Sequence, residues 1–239
     1  MHKLDAQQII SAWERGRRAS SQARALLLAE LAGVQAERLP IGSRDVVLAR
    51  QRIATYGAEA PAYVVCPACS EGLEFRVDFE RVVELGCVGE DDGPWTLERD
   101  GFRVQFRLPN TLDLLAIAEQ PGRARAVLIE RIVIAAEREG DSIVVGGLPE
   151  ELLAAIEGEL ERLDPVSDIR FAQTCPACAH RFVAPFDVAR FCWHELDVDA
   201  RRLLQEVDAL ARIYGWGEAE ILGMSRTRRL TYLEMCGVV

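Results

Sequence analysis

Val64-Val65-Cys66-Pro67-Ala68-Cys69 and, further along, Gln173-Thr174-Cys175-Pro176-Ala177-Cys178 are the stretches that decide how this chain folds. The two Cys-Pro-Ala-Cys tetrapeptides are identical and start 109 residues apart. Each is approached by an extended segment and left by an aromatic-containing run. A CxxC turn holds two sulfurs on one side of an ion, and a proline after the first cysteine helps to fix that turn. Two such turns complete a tetrahedral thiolate shell of the kind zinc takes. The pattern predicts one structural zinc on Cys66, Cys69, Cys175 and Cys178, in a zinc ribbon built on a weak internal pseudo-repeat. Two other readings of these residues stay open. Each pair could bind separately, completed by His180 or Cys87. One pair could instead be redox-active, although the flanking βαβ pattern of thioredoxin-like proteins is missing.

Outward from the first knuckle the pattern is strand-like. Leu73, Phe75, Val77 and Phe79 alternate with Glu74, Arg76 and Asp78, as a half-buried strand requires. Asp100-Gly101 lies between two further alternating runs, Trp95–Leu97 and Phe102–Leu108, and predicts a hairpin. Around this β core the periodicity is helical. Upstream, helices are predicted from Leu4 to Gly33 and from Arg44 to Tyr56, the second capped by Ser43 and ended by Gly57. Pro109 is expected to close the sheet-like part. Helices should follow at Thr111–Glu119, Arg123–Arg138 and about Pro149–Leu163. Short strands at Ile169–Thr174 and Arg181–Phe186 frame the second knuckle. After them come a short helix at Asp187–Glu195, an apolar helical stripe from Ala200 to Ala211, a break at Gly215-Trp216-Gly217, a short helix at Glu218–Leu222 and a final helix capped by Ser225. The reading is an α+β chain with a zinc-ribbon-like β core. Residues 1–60 form an N-terminal helical region, 61–190 the core with a helical insert at about 110–164, and 191–239 a C-terminal helical region, together one compact domain.

The totals narrow the function. A net charge of -10 argues against nucleic acid, whose binding is dominated by neutralised phosphates. Lys3 is the only lysine among 28 basic residues, a usage that suits protein interfaces but that a GC-rich genome explains more simply. The N-terminus has no signal-like run. Ala126–Ala136, interrupted by Glu130 and Arg131, is too short and too charged to span a bilayer, so a cytoplasmic protein is expected. Seven cysteines, four of them in two pairs, favour metal over disulfides in a reducing compartment. With four thiolates the metal has no open position for water, and no phosphate loop, GxSxG, HExxH or DxDxDG pattern appears. His180 and His194 read as packing or solvated residues, and Glu90-Asp91-Asp92 as loop charge. Arg226, Arg228 and Arg229 form a short basic cluster on the last helix. Trp216, between glycines, reads as a packing anchor or a partner contact.

Three segments together resemble the baseplate hub assembly chaperone family of T-even-type phages, whose relatives occur in gene clusters for tail-like contractile injection systems. They are Leu39-Pro40-Ile41-Gly42-Ser43-Arg44-Asp45 running on to Arg52-Ile53-Ala54-Thr55-Tyr56-Gly57, the Cys-Pro-x-Cys knuckle, and the tail Tyr214–Leu222 with Arg228-Arg229 and Tyr232-Leu233. Asp164-Pro165, the second knuckle and Phe186-Asp187-Val188 resemble the injection-system branch. The family often has glycine soon after a knuckle's second cysteine, where Ser70 and Ala179 stand here. The resemblance implies a non-enzymatic assembly role, with baseplate hub or wedge proteins as partners and no small-molecule substrate or membrane. A permanent baseplate subunit and a zinc-ribbon nucleic-acid binder are the rival expectations.

Overall fold

The computed structural model describes residues 2–86 and 93–237; Cys87 and Glu90-Asp91-Asp92 lie outside them. At the N-terminus the single helix expected from Leu4 to Gly33 is two, α1 (Ala6–Gly16) and α2 (Ser21–Leu31). A capping box starts α1: the Asp5 carboxylate accepts from the Gln8 N–H while the Gln8 side chain accepts from the Asp5 N–H. Ser20 caps α2 through the Ala23 N–H. Arg24 then donates to the carbonyls of Gly16 and Arg17 at the end of α1, the first of which also accepts from the Ala19 N–H. Periodicity alone misses this break, because the apolar stripe resumes on the far side of a local cap.

The helix expected from Arg44 starts earlier, as α3 (Ile41–Tyr56), and Ser43 is not its cap. Tertiary contacts satisfy its first amides instead. Ile41 N–H donates to the Pro109 carbonyl, and Gly42 N–H donates to Asp164 Oδ2 at 2.9 Å. Gly57, at φ 98°, ends the helix as expected. Strands β1 (Glu59–Val65) and β2 (Gly72–Asp78) form an antiparallel hairpin around the first knuckle, with Val65 opposite Gly72. A short helix, α4 (Phe79–Gly86), comes directly after and buries Phe79 and Val82.

The Asp100-Gly101 hairpin forms as predicted, joining β3 (Trp95–Arg99) to β4 (Phe102–Phe106), with φ positive at both turn residues (52° and 79°). It does not pair with the knuckle strands. Its sheet has the order β3-β4-β5-β6 and continues past Pro109. After α5 (Thr111–Glu119) and a turn of 3₁₀ helix at Pro121–Arg123, the helix expected as Arg123–Arg138 stops at Ile132. The chain leaves α6 (Ala124–Ile132) as a strand, β5 (Val133–Arg138), paired with β4, and then forms the short β6 (Asp141–Ser142). An isolated two-stranded hairpin is marginal in water. A third strand supplies the missing partner, and the β-branched run Ile132-Val133-Ile134 suits it. The insert is therefore mixed rather than helical. Its own core gathers Val104, Phe106, Ile129, Ile132 and Val133 against Leu152 and Ile156 of α7 (Glu150–Leu163).

Strands β7 (Ile169–Thr174) and β8 (Arg181–Phe186) repeat the knuckle hairpin, with Thr174 opposite Arg181. The two short helical pieces expected after Asp187 are one continuous helix, α8 (Val188–Tyr214). It packs on α1, α2 and α3, and Trp193 approaches Gly16 so closely that a Cβ there would lie 2.3 Å from the indole ring. Gly215 ends α8 in the left-handed conformation. The short α9 (Glu218–Leu222) and α10 (Arg226–Met235), capped by Ser225, fold back on its end. Leu210, Ile221 and Leu233 form the small core there, and Tyr214 and Trp216 stack at 4.3 Å with Tyr232 edge-on to both. Arg229, expected in a surface basic cluster, is instead buried, donating to Glu206 Oε2 at 2.7 Å.

Candidate metal centre and the joint beside it

The two knuckles have the same backbone. In each, the first cysteine's N–H donates to the carbonyl five residues on (Cys66 to Glu71, Cys175 to His180). The N–H four residues on donates back to the first cysteine's carbonyl (Ser70 to Cys66, Ala179 to Cys175). This closure requires a left-handed residue after the second cysteine, and Ser70 (φ 63°) and Ala179 (φ 57°) adopt it. The turn that glycine would favour is kept without glycine, at the steric cost an L-residue carries there.

Two aromatic-lined hairpins bring the knuckles together. Phe75 of β2 meets Phe171 of β7 at 5.1 Å, and Phe171 continues to Phe186 at 5.6 Å. Phe186 in turn packs on Phe191 of α8 and on Phe79 at the start of α4. The hairpins thus sit face to face on the helical body with their turns side by side. All four cysteine sulfurs lie within 4.8 Å of one another. Cys66 and Cys178 are 3.7 Å apart across the two knuckles, and Cys69 and Cys175 3.5 Å. These are not disulfide distances. A tetrahedral ion with 2.3 Å bonds to sulfur needs edges of about 3.8 Å, so the group could hold one metal ion. The structure joins the two pairs in one group, to which His180 does not belong; its ring stacks on Phe182.

The thiols are not equivalent. Burial opposes ionisation of Cys66, but the N–H groups of Ala68 and Cys69 aimed at its sulfur prevail and bring it to about 7. At Cys69 the Glu71 N–H acts in the same lowering sense, yet the sulfurs of Cys178 and Cys175 push the thiol up to about 12. An incoming cation must therefore displace protons, at Cys69 above all.

A second set of residues, not singled out as a site in the sequence, braces the insert internally and joins it to the body. Asp113 is fully buried. It accepts from Arg107 Nη1 and Nη2 (2.6 and 2.9 Å), from Arg131 Nε (2.7 Å) and from the Asn110 N–H (3.0 Å). Burial alone would raise this carboxyl, but the two guanidinium groups and the amide hold it below its usual value. Beside it, Arg44 bonds both Asp45 and the Thr111 hydroxyl. A Cβ on Gly42 would fall 1.7 Å from Asp164 Oδ1, so only glycine admits that carboxylate. Further along α3, Arg52 is paired with both oxygens of Glu195, donates to the Gly57 and Glu59 carbonyls and lies over the Phe79 ring. The first of the segments that carried the family resemblance, Leu39–Gly57, is thus the one that joins α3 to the insert and to α8. The Asn110-x-x-Asp113 capping box was the available local signal.

These features define a class: a mixed helix-and-sheet protein in which two knuckle hairpins present four convergent thiols able to take up a metal ion. Within it the chain belongs to the family described as T4 bacteriophage base plate protein, whose model matches residues 15–193. The match spans both knuckles, α3 and the whole insert. No curated protein and no solved structure matches the chain. Among the described residues, no helix is long and apolar enough to cross a membrane.

Proposed function

We propose that this chain is a non-enzymatic assembly factor for the baseplate or hub of a contractile phage tail or tail-like injection system, held in shape by one zinc ion on Cys66, Cys69, Cys175 and Cys178. The family match over residues 15–193 is the observation that carries the reading. The donor set supports zinc, since four thiolates at tetrahedral spacing are a structural zinc shell. Such a shell is closed to water and substrate, so the metal's contribution is a clamp between the knuckles.

A second reading, a permanent baseplate subunit, is favoured by the family's own description as a base plate protein. One experiment separates the two. The protein is tagged in cells making the complete gene cluster, and its amount is compared in the soluble pool and in purified particles. An assembly factor co-purifies with a hub or wedge protein in the soluble pool and is missing from particles. A stoichiometric amount in particles makes it a subunit. No baseplate protein in either fraction overturns both.

A further inference from the structure

The acidic chain carries a distinctly basic cleft. It has a volume of about 510 Å³ and lies where α1 and α2 pack against α8. Arg17 and Arg24 line one side, Arg190 and Arg201 the other. With Asp197 as the only carboxylate in the lining, the cleft has a formal charge of +3 in a protein of net charge -10.

The four arginines have different duties. Arg24 is occupied by the carbonyls of Gly16 and Arg17 and lies 4.8 Å over the Trp193 ring. Arg201 is paired with Asp197, which also accepts from Trp13 Nε1 at 2.6 Å. Arg17 lies over the Trp13 ring, 5.2 Å from its centroid, and Arg190 belongs to the first turn of α8. Both are exposed, and neither forms an ion pair among the described residues. The cleft therefore offers two guanidinium groups with no carboxylate partner among the described residues, one of which, Arg17, lies over the Trp13 ring.

We infer that this cleft binds a carboxylate-bearing segment of a partner protein. A guanidinium matches a carboxylate through two parallel hydrogen bonds, and the half-buried Trp13 beside Arg17 gives the cleft an apolar component for a neighbouring side chain. The volume suits a few side chains. Nucleic acid fits less well, because a net charge of -10 repels a polyanion at long range, whereas a short acidic segment meets chiefly the local field. The site stands on geometry alone; only the partner's identity as a baseplate protein rests on the proposed function.

The test uses the full chain and a short fluorescein-labelled peptide alternating Glu with Leu, followed by anisotropy and by tryptophan emission. A single-stranded oligothymidylate serves as the competing probe. Arg17→Glu/Arg190→Glu removes the two unpaired forks, with the Arg17 contact on Trp13, and leaves Arg24, Arg201 and Asp197 in place. Arg226→Glu/Arg228→Glu on α10, both exposed, makes the same charge change elsewhere. The expected result is peptide binding that falls by about tenfold or more in the cleft variant and stays within about twofold of the parent in the control. Absence of peptide binding, equal loss in both variants, or tighter binding of the oligonucleotide overturns the proposal. In the gene-cluster cells, a cleft variant that still co-purifies its baseplate partner shows that the partner docks elsewhere. A parent protein that captures none instead overturns the functional reading and leaves the peptide result intact.

Discussion

Removing the metal, or replacing Cys66 and Cys175 by serine, should release the clamp between the knuckles, and the geometry of the site sets the cost. The segment between Cys69 and Cys175 spans 106 residues. Closing a loop of that length costs about 4 kcal/mol beyond a constant. Protein contacts at the site offer little in return, since the local apolar cluster comprises Leu73 with Val64 and Phe182 around the buried sulfurs. The Phe75–Phe171 contact beneath adds about 1 kcal/mol beyond its buried area. A structural zinc supplies roughly 10–16 kcal/mol in small peptides, leaving a surplus on the order of 6 kcal/mol or more. At roughly 2–4 °C per kcal/mol for a chain of this size, the melting temperature should fall by at least about 10 °C. Metal analysis should give one zinc per chain, and calorimetry with and without a strong chelator should show the fall. Hydrogen exchange should locate it in the amides of Cys66, Ser70, Cys175 and Ala179. Protein that carries no metal when purified, and melts unchanged with chelator, would rule out a metal clamp.

Asp113→Ala should cost about 1–3 kcal/mol in urea denaturation because it leaves the buried Asn110 N–H without its acceptor and removes the carboxylate that Arg107 and Arg131 share, whereas Arg125→Ala, at an exposed pair with Glu157, should cost less than about 1 kcal/mol. Ser70→Gly and Ala179→Gly should each stabilise the protein by about 0.5–1 kcal/mol, the relief of left-handed strain exceeding the extra freedom of glycine when unfolded; a lower melting temperature for either would contradict this. The Asp45 carboxyl, raised to about 7 by burial against the opposing pull of Arg44, binds its proton more tightly folded than unfolded. Its contribution to stability is therefore complete below about pH 4 and is lost as pH rises through 7. Asp45→Asn should accordingly show a smaller loss of stability than the parent between those limits, measured as urea midpoints, and parallel curves would reject it.

Much of the chain can be read without coordinates because local chemistry is strong enough to settle it. The knuckles, their flanking strands β7 and β8, the Asp100-Gly101 turn, α5, α7 and the elbow at Gly215 depend on turn residues, caps and short-range periodicity. Spacing alone groups the four cysteines, and the fold places their sulfurs together. The same kind of reasoning fails where distant groups decide the outcome. Ser43 has the chemistry of a cap, but Pro109 and Asp164 accept from the amides of Ile41 and Gly42, so the helix starts before it. Val133–Arg138 is compatible with the end of a helix until β4 offers it an edge.

The donor set, the pseudo-repeat and the acidic balance are properties of residue identity and spacing, so they are legible in the chain before it folds. Long-range packing was needed to show that the insert owns a sheet and a core, that Arg229 is a buried ion-pair partner, and that Arg17 and Arg190 share one cleft. Burial and pairing depend on which surfaces meet. Residues such as Arg44 and Thr111, far apart in the chain, carry no local sign that they will touch.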